Sequence, residues 1–253
     1  MGELENSVLI HVEKTTRFVY ASRTSMPGHG LDHSIRVVNN VALICEGENI
    51  DPFIHSVSGW LHDIGRIEEW TAIDRGERIF HAESSARQTP EILLPFKDTL
   101  GISATEEIQR AVGRHSFLNQ PDDTLADQTL KDADRLDTVG AVGIMRTFMH
   151  RNNFPPYDPD STSNPFGHES LSFGEMDPQN SFCLAFPFEN LMTYLMLRSE
   201  TARELAVPKM RTTVEFLLSF AREAGLADSA IREYPKIIEA RKKLPQTIFA
   251  GLL

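Results

Sequence analysis

The chain has 253 residues, 41% of them hydrophobic, and a formal net charge of -11 from 36 acidic against 25 basic side chains. That apolar content is enough to bury a sizeable core and excludes global disorder. The acidity excludes a surface for duplex nucleic acid, which needs clustered Lys and Arg, but leaves room for a small anionic substrate beside a bound cation.

Residues 1 to 20 carry Glu3, Glu5, His11, Glu13, Lys14 and Arg17 and no long apolar run, so they do not read as a signal peptide. No window reaches the roughly 18 to 20 apolar residues of a membrane span. Cys45 and Cys183 form neither a metal-type nor a redox-type pair, and reduced thiols in a cytoplasmic protein are the plain expectation.

Helical periodicity dominates the rest. Residues 33 to 46 place Ile35, Val38, Ala42 and Cys45 at steps of three and four. Asp51-Pro52 predicts a helix start, with the helix passing Trp60 and stopping near Gly65. Its last turn then carries His62 and Asp63. Ser103-Ala104-Thr105-Glu106 has the capping-box pattern and opens a helix with Ile108, Val112 and His115 on one face. Residues 131 to 149, 189 to 205, 208 to 224 and 228 to 243 read as further helices. Strand signals are sparse, and no Gly-rich phosphate loop follows a strand.

One stretch departs from the pattern. Residues 151 to 188 hold six prolines and six phenylalanines among Gly, Asn, Asp and Ser. That is long for a connection within a compact domain, and such loops are usually binding loops, lids or disordered segments. The fold expected is an all-α single domain over 1 to 253, with this stretch as an irregular insertion.

The chemistry-bearing residues are His33, the pair His62-Asp63, and Asp134, each on a stretch that reads as helix. Imidazole nitrogens and carboxylate oxygens are good ligands for a divalent ion. Spacing alone says little among nine histidines. Consecutive helical residues point about 100° apart, so His62 and Asp63 reach one ion most easily at a helix end.

The local context carries more. Gly30-Leu-Asp-His33-Ser-Ile-Arg36, Trp60-Leu-His62-Asp63-Ile-Gly65-Arg66 and Lys131-Asp-Ala-Asp134-Arg135-Leu-Asp137 resemble, in order, the motifs of the HD-domain superfamily of all-helical, metal-dependent phosphohydrolases. The run from Asp132 to Phe148, Phe188-Glu-Asn-Leu191 and Arg211 to Phe216 look closest to a bacterial branch containing nucleotide pyrophosphohydrolases. The resemblance covers roughly residues 10 to 225, and the 151 to 188 insertion looks longer than its counterpart in that branch.

The resemblance implies that His33, His62, Asp63 and Asp134 hold one divalent ion, from among Mn, Fe, Co, Ni, Zn and Mg. Mixed nitrogen and oxygen ligands suit manganese and its first-row neighbours better than calcium, and the sequence leaves the choice among them open. The resemblance also implies that His81 and His115 either hold a second ion or contact substrate phosphate. Arg66 and Arg114 are candidates for pairing with phosphate. Glu83, Asp137 and Asp63 are candidates for general base or orienting acceptor. Arg135 should point away from the site toward a nearby acid, and His29 reads as ordinary.

The function expected is hydrolysis of a phosphate ester or anhydride in a nucleotide or small phosphorylated metabolite, by metal-activated water. Two rivals stand beside it: an enzyme of hydratase or oxygenase type on the same scaffold, and a metal-stabilised nucleotide sensor without turnover. Few basic residues in the pocket would favour the first rival. Neither nucleic acid nor membrane is an expected partner, and the sequence leaves the oligomeric state open.

Overall fold

The structure is a computed structural model, and it describes residues 2–22, 28–116, 118–151, 154–161, 165–167 and 182–253. It is all-α, with no strand among the described residues. The chain forms two compact units. The first comprises residues 1–136 together with 197–202, and the second comprises 137–196 together with 203–253.

The first unit holds α1 (Glu3–Ala21), α2 (Leu31–Gly47), α3 (Phe53–Leu61), α4 (Arg66–Asp74), α5 (His81–Leu93), α6 (Lys97–Arg114) and α7 (Leu125–Arg135). Helix α1 buries Val8, Val12, Thr16 and Tyr20, a stripe at steps of four that faces α3. Val8 and Val12 join Val57, Leu61, Ile64, Leu93, Ile108 and Val112 in one core. Two polar groups on the same stripe fasten α1 to the end of α3: Thr16 Oγ1 donates to Trp60 O at 3.1 Å, and Tyr20 Oη donates to Asp63 O at 3.1 Å. Carbonyls in and just past the last helical turn of α3 thus find donors, which a buried helix end requires.

A short segment from later in the chain belongs to this unit. The buried Asp132 carboxylate accepts from the backbone N–H groups of Arg198 and Ser199 at 2.9 and 2.8 Å, and from Ser199 Oγ at 3.1 Å. Glu48 accepts from Thr201 N at 2.8 Å. These bonds cap the start of α10 (Glu200–Glu223).

The second unit contains α8 (Gly140–His150), α9 (Ala185–Leu191), α11 (Asp228–Arg232) and α12 (Pro235–Lys243), with most of α10. Phe166, Phe188 and Tyr234 form a buried aromatic cluster with ring centroids 4.4 to 5.5 Å apart. Two phenylalanines of the 151 to 188 stretch are therefore core packing. Phe173, with the rest of 168–181, lies outside the described residues.

Several element boundaries differ from the expectation. The helix expected over 131 to 149 is two helices: α7 ends at Arg135, and α8 opens at Gly140, whose φ is 78°. The helix expected to open at Ser103 begins earlier and is broken at Gly101, φ 69°. Pro208 was expected to separate two helices, yet α10 runs through it from Glu200 to Glu223. Pro235 does the reverse, opening α12 and dividing the segment 228 to 243. Gly65 is no left-handed helix cap: its φ is -73°. Its role is space, since a Cβ there would lie 2.5 Å from His81 O and 2.6 Å from Ser85 N.

Candidate metal centre

The ends of α2, α3 and α7 bring four of the expected residues together. His33 lies in the first turn of α2, His62 follows α3, and Asp134 lies in the last turn of α7. Asp63 comes one residue after His62, where the chain has left the helix. His33, His62 and Asp63 are fully buried, while Asp134 is partly exposed. His62 Nε2 is 3.2 Å from His33 Nε2. His33 Nε2 is also 3.3 Å from Asp134 Oδ1 and 3.6 Å from Asp63 Oδ2, and His62 Nε2 is 3.7 Å from the latter oxygen.

The protonation of these groups follows from their other contacts. His62 Nδ1 donates to Gly59 O, three residues back, at 2.8 Å. That fixes the tautomer with a lone pair on Nε2. Burial pushes the His62 pKa down to about 4 despite the opposing charge of Asp63, so the ring is neutral near pH 7. Burial alone would push the Asp63 carboxyl up. Arg66 and the surrounding imidazoles outweigh it and hold the group well below the usual carboxylate range.

These facts test whether a cation fits. Two ring nitrogens and two carboxylate oxygens face one another, and at most one proton, on His33 Nε2, can lie between them. Two imidazoles and two carboxylates make a suitable donor set for a first-row divalent ion. The sets His33-His62-Asp134, His62-Asp63-His115 and His29-His33-Asp63 each bring their ligand atoms within 4.8 Å of one another.

The two oxygens of Asp63 face different company. Oδ2 faces His29, His33 and His62. Oδ1 faces Arg66 Nε at 3.2 Å, His115 Nε2 at 3.4 Å and His81 Nε2 at 3.5 Å. His115 Nδ1 donates to Val112 O at 2.7 Å, repeating the arrangement at His62. His81 Nδ1 donates to Glu69 Oε1 at 3.1 Å, and Glu69 Oε2 accepts from Arg66 Nη1 at 2.7 Å. Ser116 Oγ lies 2.7 Å from His81 Nε2 and 3.0 Å from His115 Nε2.

The remaining expected residues are placed as follows. Arg66 lies beside Asp63 and Glu69, with Nη2 lacking a hydrogen-bond partner among the described residues. Arg114 is bound by Asp122 at 2.8 and 2.9 Å and lies 3.3 Å from Asp123. Glu83 is exposed on the wall of a cavity of about 530 Å³ that it shares with Glu69, Ile73, Arg78, Ile79 and Phe80. The Asp137 carboxylate pairs with Arg146 at 3.1 Å. Arg135 donates to Asn119 and lies 3.8 Å from Asp132.

Sequence reasoning missed three residues. His29, read as ordinary, places Nδ1 3.3 Å from Asp63 Oδ2, and its spacing of four from His33 is the signal that was available. Glu69 carries only a spacing of three from Arg66, and Ser116 only adjacency to His115.

Residues 30–139 match the family model of the HD domain, which spans the three motifs and all four buried or partly buried candidate ligands. The chain carries an HD domain. It is 27% identical over 202 residues to the uncharacterized protein YpgQ of Bacillus subtilis (strain 168), covering 78% of this chain and 82% of that protein. A crystal structure of a predicted HD superfamily hydrolase from an uncultured Thermotogales bacterium is 26% identical. It aligns over 86% of this chain and 91% of its own, with a TM-score of 0.56. Bacillus subtilis YpgQ in complex with ADP shares the fold at 22% identity and a TM-score of 0.60, over 87% and 96% of the two chains.

Proposed function

We propose that this chain is a metal-dependent phosphohydrolase acting on a nucleotide or another small phosphorylated metabolite. The observation that carries the reading is the meeting of His33 Nε2, His62 Nε2, Asp63 Oδ2 and Asp134 Oδ1 with too few protons to bond them to one another. These residues would hold one divalent ion, which when bound polarises a phosphoryl oxygen and acidifies water. One ion fits better than two, because the Arg66 guanidinium already lies against the other oxygen of Asp63.

The other residues have assignable work. His81 presents the Nε2 lone pair toward the centre while Glu69 accepts its Nδ1 proton, so His81 can take a proton from an attacking water. Glu69 orients that imidazole, and Arg66 in turn orients Glu69. Arg66 Nη2 is available to a phosphate oxygen. The cavity beyond Glu69, with Phe80 on its wall, would receive the non-phosphate part of the substrate. The ADP bound by YpgQ, and a net charge of -11 that disfavours long polyanions, support a nucleotide. The cytoplasmic setting inferred from the two unpaired cysteines belongs to the same reading.

The test is phosphate or pyrophosphate release across nucleotides and phosphate monoesters, with metal content measured on the same protein. Metal-dependent release abolished in Asp63→Asn is the expected result. Absence of release from any phosphorylated compound by metal-loaded protein would refute it.

One observation favours the hydratase or oxygenase reading: Arg114 is held by acids and Arg66 is largely so, leaving few cations for phosphate. The same screen decides between them.

A further inference from the structure

The loop residue His29 is unexplained by the signature motifs. The backbone turns at Gly28, φ 77°, and the extended Gly30 then caps α2, so the loop presents His29 from outside the helix. Its side chain is 16% exposed, between the buried ligands and solvent. Its Nδ1 lies 3.3 Å from Asp63 Oδ2, an oxygen that also has His33 Nε2 at 3.6 Å and His62 Nε2 at 3.7 Å.

The His29 contact is within hydrogen-bond reach but long for a charge-assisted one, and the His33 and His62 contacts to the same oxygen lie beyond hydrogen-bond range. A charge-assisted N–H···O bond is about 2.7 to 2.9 Å long, and His62 Nε2 has no proton to give, since its Nδ1 is the donor to Gly59 O. Those spacings suit a coordination shell. Metal–ligand bonds of about 2.0 to 2.2 Å at right angles put neighbouring donor atoms roughly 3 Å apart. The ligand atoms of His29, His33 and Asp63 all lie within 4.8 Å of one another.

We propose that His29 is a further metal ligand, supplied by the loop before α2, so that three imidazoles from His29, His33 and His62 join Asp63 and Asp134. The inference rests on the metal-centre reading above. Its chemical consequence is fewer open positions for water and substrate than the four motif residues alone would leave.

X-ray absorption of the zinc-loaded protein counts imidazole ligands, and competition with a chromophoric chelator gives zinc affinity. We expect three imidazoles in the wild type and two in His29→Ala, with affinity lowered about tenfold or more. His29→Gln, which keeps a polar side chain of similar reach, should also count two and guards against a folding artefact. Two imidazoles in the wild type would overturn the proposal. So would three in both wild type and variants, which would assign the third to His115. A wild type that binds no zinc overturns the metal-centre reading itself, together with this one.

Discussion

At the scale of single residues, His62 shows how folding prepares an imidazole for a cation. Its proton is taken by Gly59 O and its neutral form is favoured by burial. His62→Ala should therefore lose most of the divalent metal that the purified wild type retains, measured by elemental analysis. Full occupancy in that variant would remove His62 from the centre. Asp63→Asn should fold, because its backbone carbonyl still accepts from Tyr20, but should show hydrolysis reduced by 100-fold or more, on the order of 3 kcal/mol in the barrier. Rates within twofold of wild type would sink the assignment. Phe80→Ala should raise KM with little effect on kcat if the neighbouring cavity takes the apolar part of the substrate. An unchanged KM would make the cavity incidental. The gathering of His33, His62, Asp63 and Asp134 was legible because three local motifs flagged them. Glu69 was not, because its part depends on His81 of α5 meeting it across the helix packing, and its i,i+3 spacing from Arg66 alone does not point to that. The freedom of Arg114 was overestimated for the same reason: Asp122 and Asp123 lie next to it only in the folded chain.

At the scale of elements, the contact between α4 and α5 depends on a missing side chain. Gly65→Ala would drive a methyl group into backbone atoms of His81 and Ser85. Overpacking of this kind costs about 1 to 3 kcal/mol, and here it also displaces His81. The variant should melt earlier and lose activity, and a melting temperature equal to wild type would show that the two helices can part freely. A second device fixes α7. Lys131 is fully buried and donates to both oxygens of Asp123 at 2.9 and 2.8 Å. Lys131→Met leaves that carboxylate buried with Arg114 and the Gln120 N–H as its remaining partners, and should cost about 3 kcal/mol in denaturant unfolding. Adding Asp123→Leu should recover much of the loss. No recovery would mean that the pair acts through something other than charge. Helices with strong apolar periodicity, such as α2, were readable nearly to the residue. The breaks at Gly101 and Gly140 were not, because a glycine takes a left-handed conformation only where the packing demands it.

At the scale of the whole molecule, every proposed metal ligand lies between His29 and Asp134, within the first compact unit. A ligand that binds only the folded state adds about 2.7 kcal/mol at a hundred times its dissociation constant. Chelation should therefore lower the melting temperature, and limited proteolysis should show new cleavage within residues 1–136. Cleavage confined to 137–253 would contradict the location of the site. Among the described residues, no helix is long and apolar enough to cross a membrane. That matches the sequence reading of its apolar windows.

The segment Leu197–Ala202 has a consequence for anyone wishing to cut the protein down. The first unit is discontinuous in the chain, and its last six residues supply the donors for the buried Asp132. A fragment ending at residue 136 would retain a carboxylate stripped of those three bonds, two residues from the proposed ligand Asp134. A minimal HD module from this chain would have to carry 197–202 as well, joined through a linker. A genetic rearrangement that moved residues 1–136 alone into another protein would transfer the motifs without the support that α7 depends on.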